Sequence, residues 1–256
     1  MSGLLIRLAG PMQSWGEHSA FGQRDTLNHP TRSGVIGLCA AVRGVPREDE
    51  RLREYDDLRI TVRVDRPGVR DVDYQTIGGG LPPKRTVPKS EGGYRPTATA
   101  TVQTWRPYLS DAVFTVALQG PEELLDATAE ALEHPYWQPY LGRRAFLPEQ
   151  PLLLRAGVVD PVGELRTGVP LPPRVFEGRV DFVYESDPGR TAAQGGDDRS
   201  HTVLNDVPAP ALGGERVFAT RDVVATPEKV ASELRTSSVS EYREKLLAYV
   251  VEGRTR

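Results

Sequence analysis

The chain is 256 residues long, enough to bury a full core as one large domain or two small ones. It has no run of about 18 apolar residues, which excludes a membrane-spanning helix, and no basic stretch leading into an apolar one at its start, which excludes a secretory leader. A formal net charge of −3 excludes an indiscriminately basic protein, and a single cysteine excludes an internal disulfide.

Residues 3–9 read as a strand with an apolar core-facing set, stopped by Gly10-Pro11. A helix over 33–44 follows Pro30-Thr31-Arg32, capped by Thr31 or Ser33 and closed by Gly44. Cys39, between Leu38 and Ala40, reads there as a buried structural thiol. A short helical stretch over 47–55 begins after Pro46. Residues 58–64 alternate apolar and polar and predict a half-buried strand. Pro67-Gly68 turns into another strand over 69–77. Periodicity then stops: 78–96 is rich in glycine and proline and reads as an arm, before a strand resumes over 97–106. A strand over 114–118 and a helix over 121–133 follow, the helix with Leu124, Leu125, Thr128 and Leu132 on one face. Beyond Pro151 the signals thin out. Loops are marked by 170–173, 188–189 and 195–198, short strands fall at 179–184 and 216–224, and a helix at 240–250.

This order fits an α+β chain whose residues 1–150 form a ferredoxin-like, RRM-like domain with an elaborated β-hairpin. Residues 151–256 then form a smaller β-rich C-terminal lobe. RNA-recognition modules share that architecture and use the sheet as a platform. Charge is uneven as well. Residues 1–110 hold 16 Lys and Arg against 12 Asp and Glu, and residues 111–256 hold 16 against 23. Nucleic acid against the first half would account for this, and so would ordinary surface variation.

Four places carry candidate chemistry. Arg24 and Arg32 flank the helix start at Ser33, where backbone amides suit a phosphate. In the arm, Lys84, Arg85, Lys89 and Arg95 meet one acid, Glu91, with Tyr94 among them; single-stranded RNA or plain solvent suits that composition equally. In Gln103-Thr104-Trp105-Arg106-Pro107-Tyr108, Trp105 reads as core, leaving Arg106 and Tyr108 as contacts. In Tyr140-Leu141-Gly142-Arg143-Arg144, a glycine turn presents Arg143 and Arg144 to a phosphate. The histidines are His18, His29, His134 and His201. His29, beside the helix start with Tyr74 and Lys84 conceivable neighbours, is the candidate base for a metal-independent ribonuclease. No zinc pattern, two-metal carboxylate pair or Walker loop occurs, so no cofactor is expected.

The segments LAGPMQSWG (8–16) and PTRSGVIGL (30–38), with 103–112 and 139–144 in the same order, resemble CasD-type subunits of Cascade, the type I-E CRISPR surveillance complex. The resemblance is good over about the first 150 residues. It implies a cytoplasmic, non-catalytic RNA-binding subunit that caps the assembly and holds the 5′ handle of the guide RNA. Its neighbours would be the backbone subunit and the large subunit, with target DNA nearby. In that family a thumb-like hairpin contacts the guide where handle meets spacer, which would correspond to the arm at 78–96. Taken with the residue patterns above, the expected RNA contacts are Arg24, Arg32, Ser33, Lys84, Arg85, Arg106, Tyr108, Arg143 and Arg144. Gln13 and Trp15 would shape the pocket at the strand end. A ribonuclease acting on CRISPR repeat RNA and a pure protein adaptor stand as alternatives.

Overall fold

A computed structural model describes residues 2–17, 19–20, 23–173, 179–185, 200–209 and 217–254. His18 and the loop marks at 188–189 and 195–198 lie outside the described residues. In chain order the elements are β1 (Ser2–Ala9), β2 (Met12–Gln13), β3 (Ser19–Ala20), β4 (Gln23–Arg24), α1 (Arg32–Val42), β5 (Arg59–Arg66), β6 (Val69–Ile77), β7 (Val102–Ser110) and β8 (Val113–Gly120). Then come α2 (Glu122–Glu133), β9 (Leu153–Arg155), α3 (Pro161–Thr167), β10 (Arg179–Glu185), β11 (Ser200–Ala209), β12 (Val217–Lys229) and α4 (Val239–Arg254).

Seven strands form one antiparallel sheet in the order β11-β12-β10-β5-β8-β1-β9. Both faces of its centre are covered. Leu4, Ile6 and Leu8 of β1 join α1 and α2 residues such as Val35, Leu38, Leu125 and Ala129 in one core. Leu5 of the same strand joins Leu165 of α3 and Leu246 and Val250 of α4 in the other. Each such Leu, Ile or Val side chain contributes about 1.5–3 kcal/mol by leaving water. The expected mixture of α and β structure is observed, built on this antiparallel sheet.

The alternation in β5 proves misleading. Arg63 and Asp65 are wholly buried, not solvated. α3 and the segment after it cover that face, and the Arg63 guanidinium donates to the carbonyls of Leu165, Val169 (2.9 Å) and Pro170 (3.3 Å) where α3 ends. Its charge is matched by Asp65 at 2.5 Å, and the Asp65 carboxylate also accepts from Thr115 Oγ1. Desolvating two ions costs several kcal/mol each, so only this complete set of partners makes the burial tolerable.

The second half does not build a separate sheet. β10 pairs with β5 in the register Phe182↔Arg63 to Tyr184↔Thr61, so β10, β12 and β11 continue the sheet begun by the first half. The expected boundary at 150/151 therefore coincides with no break in hydrogen bonding.

A smaller sheet stands on the strands that join β5 to β8. Here β6 and β7 form a hairpin from Val69↔Ser110 to Ile77↔Val102, with β2 and β4 along the other edge of β7. The strand after the arm begins at Val102, later than expected, because residues 97–99 make a tight 3-10 turn. The arm itself is stitched together by Thr86 Oγ1 donating to Arg95 O at 2.6 Å, Arg95 N to Val87 O at 2.9 Å and Lys89 N to Gly93 O at 3.0 Å.

Candidate nucleic-acid interface

The register of the β6–β7 hairpin sorts its side chains by face. Asp71 is opposite Tyr108, Asp73 opposite Arg106, and Gln75 opposite Thr104. On the other face Val72 is opposite Pro107 and Tyr74 opposite Trp105. The first face is polar and internally bonded. Tyr108 donates its hydroxyl to Asp71 at 3.1 Å, and Arg106 Nε donates to Thr104 Oγ1 at 3.1 Å. Partial removal from water, then the Asp71 carboxylate, raise the Tyr108 pKa, so this phenol stays neutral.

The turn over 140–146 lies against that face. Leu141 N donates to Phe146 O at 2.7 Å, and Ser14 N donates to Leu141 O at 3.1 Å. Gly142 has φ of +87°, and a Cβ there would sit 1.6 Å from the Ser14 carbonyl oxygen, so only glycine fits. The turn delivers Arg143 to the edge of the hairpin, where its guanidinium donates to Pro107 O at 2.8 Å and Arg106 O at 3.2 Å. It also lies over the Phe146 ring at 5.4 Å, and that ring meets Tyr108 at 6.0 Å.

These elements enclose a cleft of about 370 Å³ lined by Met12, Asp73, Gln75, Arg106, Arg143, Arg144, Ala145 and Phe146. Burial lowers the Arg143 pKa; Arg106 and Arg24 press the same way, and Asp73 opposes them. Burial is the larger cause of that direction; the anion attraction comes from Arg106, Arg143 and Arg144 sharing one cleft with a single carboxylate, Asp73, in its lining.

Of the expected contacts, the structure brings Arg106, Arg143 and Arg144 to one cleft, with Arg24, exposed on β4, electrostatically coupled to Arg143. Tyr108 stands behind them, bonded to Asp71. Lys84 and Arg85 are exposed in a short 3-10 turn of the arm. From the Asp73–Arg106 pair to the last ladder pair, Ile77–Val102, is already about 14 Å along the strands.

Arg32 and Ser33 do not belong to this group. Arg32 is 5% exposed, and its guanidinium donates to the carbonyls of Leu58, Tyr55 and Asp56 and to Glu185 at 2.7 Å. Its backbone N–H donates to Asp206 at 2.6 Å, so a carboxylate of this chain already occupies the helix N-terminus expected to take a phosphate. Arg221 closes the network, reaching Asp206 at 2.6 Å and Glu185 at 3.3 Å. Thr31 is the cap, accepting from Gly34 N at 3.2 Å, and the half-buried Ser33 hydroxyl lies 3.4 Å from Thr31 Oγ1. Gly34 is small for another reason: a Cβ there would meet the Trp15 ring at 2.8 Å. Gln13 and Trp15 are buried and bonded to each other at 3.2 Å, bracing the strand end. His29 Nδ1 lies 3.2 Å from Pro30 O, and burial lowers its pKa.

Trp105 overturns its expected place in the core. It is 55% exposed, and with Tyr74, 52% exposed, it forms a tilted pair 5.5 Å apart. Alternation correctly separated Trp105 from Arg106 but could not say which face the fold would cover. Asp73, Gln75 and Phe146 were missed because they carry no local motif. Among the described residues no cluster of His, Cys, Asp and Glu is arranged to hold a metal ion, and no helix is long and apolar enough to cross a membrane.

Comparison with known proteins agrees with this architecture. The chain is 37% identical over 170 residues to the CRISPR system Cascade subunit CasD of Escherichia coli (strain K12), covering 59% of this chain and 69% of that one. A chain of a solved CRISPR RNA-guided surveillance complex superposes with a TM-score of 0.85 at 52% identity, covering 97% of this chain and 99% of that one. A solved Cas protein superposes at 0.62 with 31% identity, covering 91% and 97%. The model of the CRISPR-associated protein (Cas_Cas5) family matches residues 3–224. With most of its length matched, this chain belongs to the CRISPR-associated Cas5 family.

Proposed function

We propose that this protein is a guide-RNA-binding, non-catalytic subunit of a Cascade-type surveillance complex, holding the 5′ handle of the guide and capping the assembly. The observation that carries the reading is the cleft at the foot of the β6–β7 hairpin, where Arg106, Arg143 and Arg144 converge with Arg24 beside them. Guanidinium groups grip phosphates through paired N–H donors. The Trp105–Tyr74 pair offers a stacking surface on the opposite face of the hairpin, and Lys84 and Arg85 extend the cationic track into the arm. The RNA contacts proposed are therefore Arg24, Lys84, Arg85, Arg106, Arg143 and Arg144, with Tyr108 as their support.

The strand order supports a ferredoxin-like core: β1, α1, β5, β8, α2 and β9 occur in the β-α-β-β-α-β sequence, with β8 and β9 flanking β1. In this reading residues 1–150 carry the RNA, while the lobe of 151–256 completes the sheet and faces the backbone and large subunits, with target DNA passing nearby.

The test is ultraviolet crosslinking of the chain to end-labelled CRISPR repeat RNA in EDTA, resolved on a denaturing gel. Intact RNA crosslinked through its 5′ handle is expected. A discrete cleavage product lost in His29→Ala would replace the reading with a processing ribonuclease. Crosslinking unchanged in an Arg106, Arg143 and Arg144 triple alanine variant would overturn the cleft as the RNA site.

A further inference from the structure

The cleft has features that phosphate binding leaves unexplained. Its floor, Met12, Ala145 and Phe146, is apolar, and a phosphate gains nothing from an apolar floor. Its wall carries a carboxylate, Asp73, which repels phosphate. That carboxylate sits among arginines, yet among the described residues no ion pair within 4.0 Å joins it to Arg106, Arg143 or Arg144, and Arg144 makes no hydrogen bond at all. Asp73 instead accepts a hydrogen bond from Gln75 Nε2 through Oδ2. The Gln75 bond fixes the pair side by side, leaving Asp73 Oδ1 and Gln75 Oε1 as neighbouring acceptors.

A complementary ligand is flat, donates two hydrogens from one edge and accepts from guanidinium on another. Guanine has that pattern: N1–H and N2–H₂ lie on one edge, and O6 and N7 accept from arginine. Adenine and cytosine each offer a single amino group, and uracil a single imino group. The cleft volume is within the range that encloses small planar ligands.

We propose that the cleft receives a guanine base splayed from the bound RNA strand, with Asp73 and Gln75 reading its donor edge and Arg144 its acceptor edge. The inference rests on the RNA-binding reading above and adds a base identity to it. Arg143, fixed to the hairpin carbonyls and lying over the buried Phe146 ring, positions the wall against which the base lies.

The full chain is titrated by fluorescence anisotropy against a labelled oligoadenylate and the same oligomer carrying one guanine. About tenfold tighter binding of the guanine oligomer is expected, the scale of one bidentate base contact. Inosine, lacking the 2-amino group, falls between the two. Asp73→Asn and Gln75→Ala abolish the preference, and Asp73→Asn binds plain oligoadenylate at least as tightly as wild type, because a negative charge has left the phosphate track. A variant that had merely unfolded would lose both oligomers. Equal affinity of wild type for the two oligomers overturns the guanine pocket and leaves the RNA-binding reading standing. Binding of neither counts against the RNA-binding reading itself. Displacement by guanosine monophosphate as effectively as by the oligomer overturns a strand-borne base in favour of a free-nucleotide site.

Discussion

Two arginines that look alike in the sequence have opposite roles. Arg144 is exposed at the cleft, whereas Arg32 is buried with a complete set of partners. Arg144→Ala is expected to reduce the slope of log affinity against log salt by about one and to leave the melting temperature unchanged. Arg32→Ala is expected to cost about 1–3 kcal/mol of stability in denaturant titrations, since the carbonyls of Leu58, Tyr55 and Asp56 lose their donor while Glu185 keeps Arg221 and the Ile60 N–H. The difference was not legible because Glu185 and Asp206 lie 153 and 174 residues away in the chain. The thiol of Cys39 was legible from its apolar neighbours. Burial pushes its pKa up to about 12. In the unfolded chain the thiol ionises near its ordinary value of about 8.5, so this contribution to stability is complete below that pH and declines as pH rises toward 12. Cys39→Ala should flatten the alkaline limb of a stability–pH curve, and wild-type Cys39 should react with a thiol reagent only on unfolding.

At the level of elements, the strands and helices of the first half were readable because each carries its own period and its own stop. The fate of their faces was not. Residues 58–64 alternate like a half-exposed strand, yet α3 covers the polar side and Arg63 satisfies the carbonyls at its end. The Arg143–Arg144 turn was legible as a glycine turn, and its geometry makes a sharp prediction. Gly142→Ala places a methyl group against the Ser14 carbonyl at a positive φ, so the turn must move away from the hairpin. RNA affinity should fall at least as far as in Arg143→Ala, while the far-UV dichroism of the sheet persists. For α1, Thr31→Ala removes the cap on Gly34 N and is expected to cost about 1 kcal/mol. Replacing residues 81–96 by a short glycine linker should lower RNA affinity and salt dependence together with little change in melting temperature, because Thr86 alone of those side chains is buried.

Over the whole molecule, hydrogen bonds and charge join the two halves. β10 closes the edge of β5, α4 covers the face that holds Leu5, and the Arg32–Asp206–Arg221–Glu185 network ties α1 to β10, β11 and β12. Hydrogen exchange in increasing denaturant should therefore release the amides of β5 and β10 in the same transition, and a chain ended at residue 173 should expose apolar dye-binding surface. A lobe that folded alone would instead give two transitions. The division at 150 followed from periodic signals that thin out beyond Pro151, while pairing between strands about 120 residues apart leaves no local trace. One consequence lies in how the hairpin is mounted. Its two strands continue into β5 and β8, adjacent in the middle of the large sheet. Tension applied to a strand gripped at the hairpin would draw β5 and β8 along their own axes, past β10 on one side and β1 on the other. A pull along those axes would load the ladder bonds simultaneously in shear rather than opening them one by one.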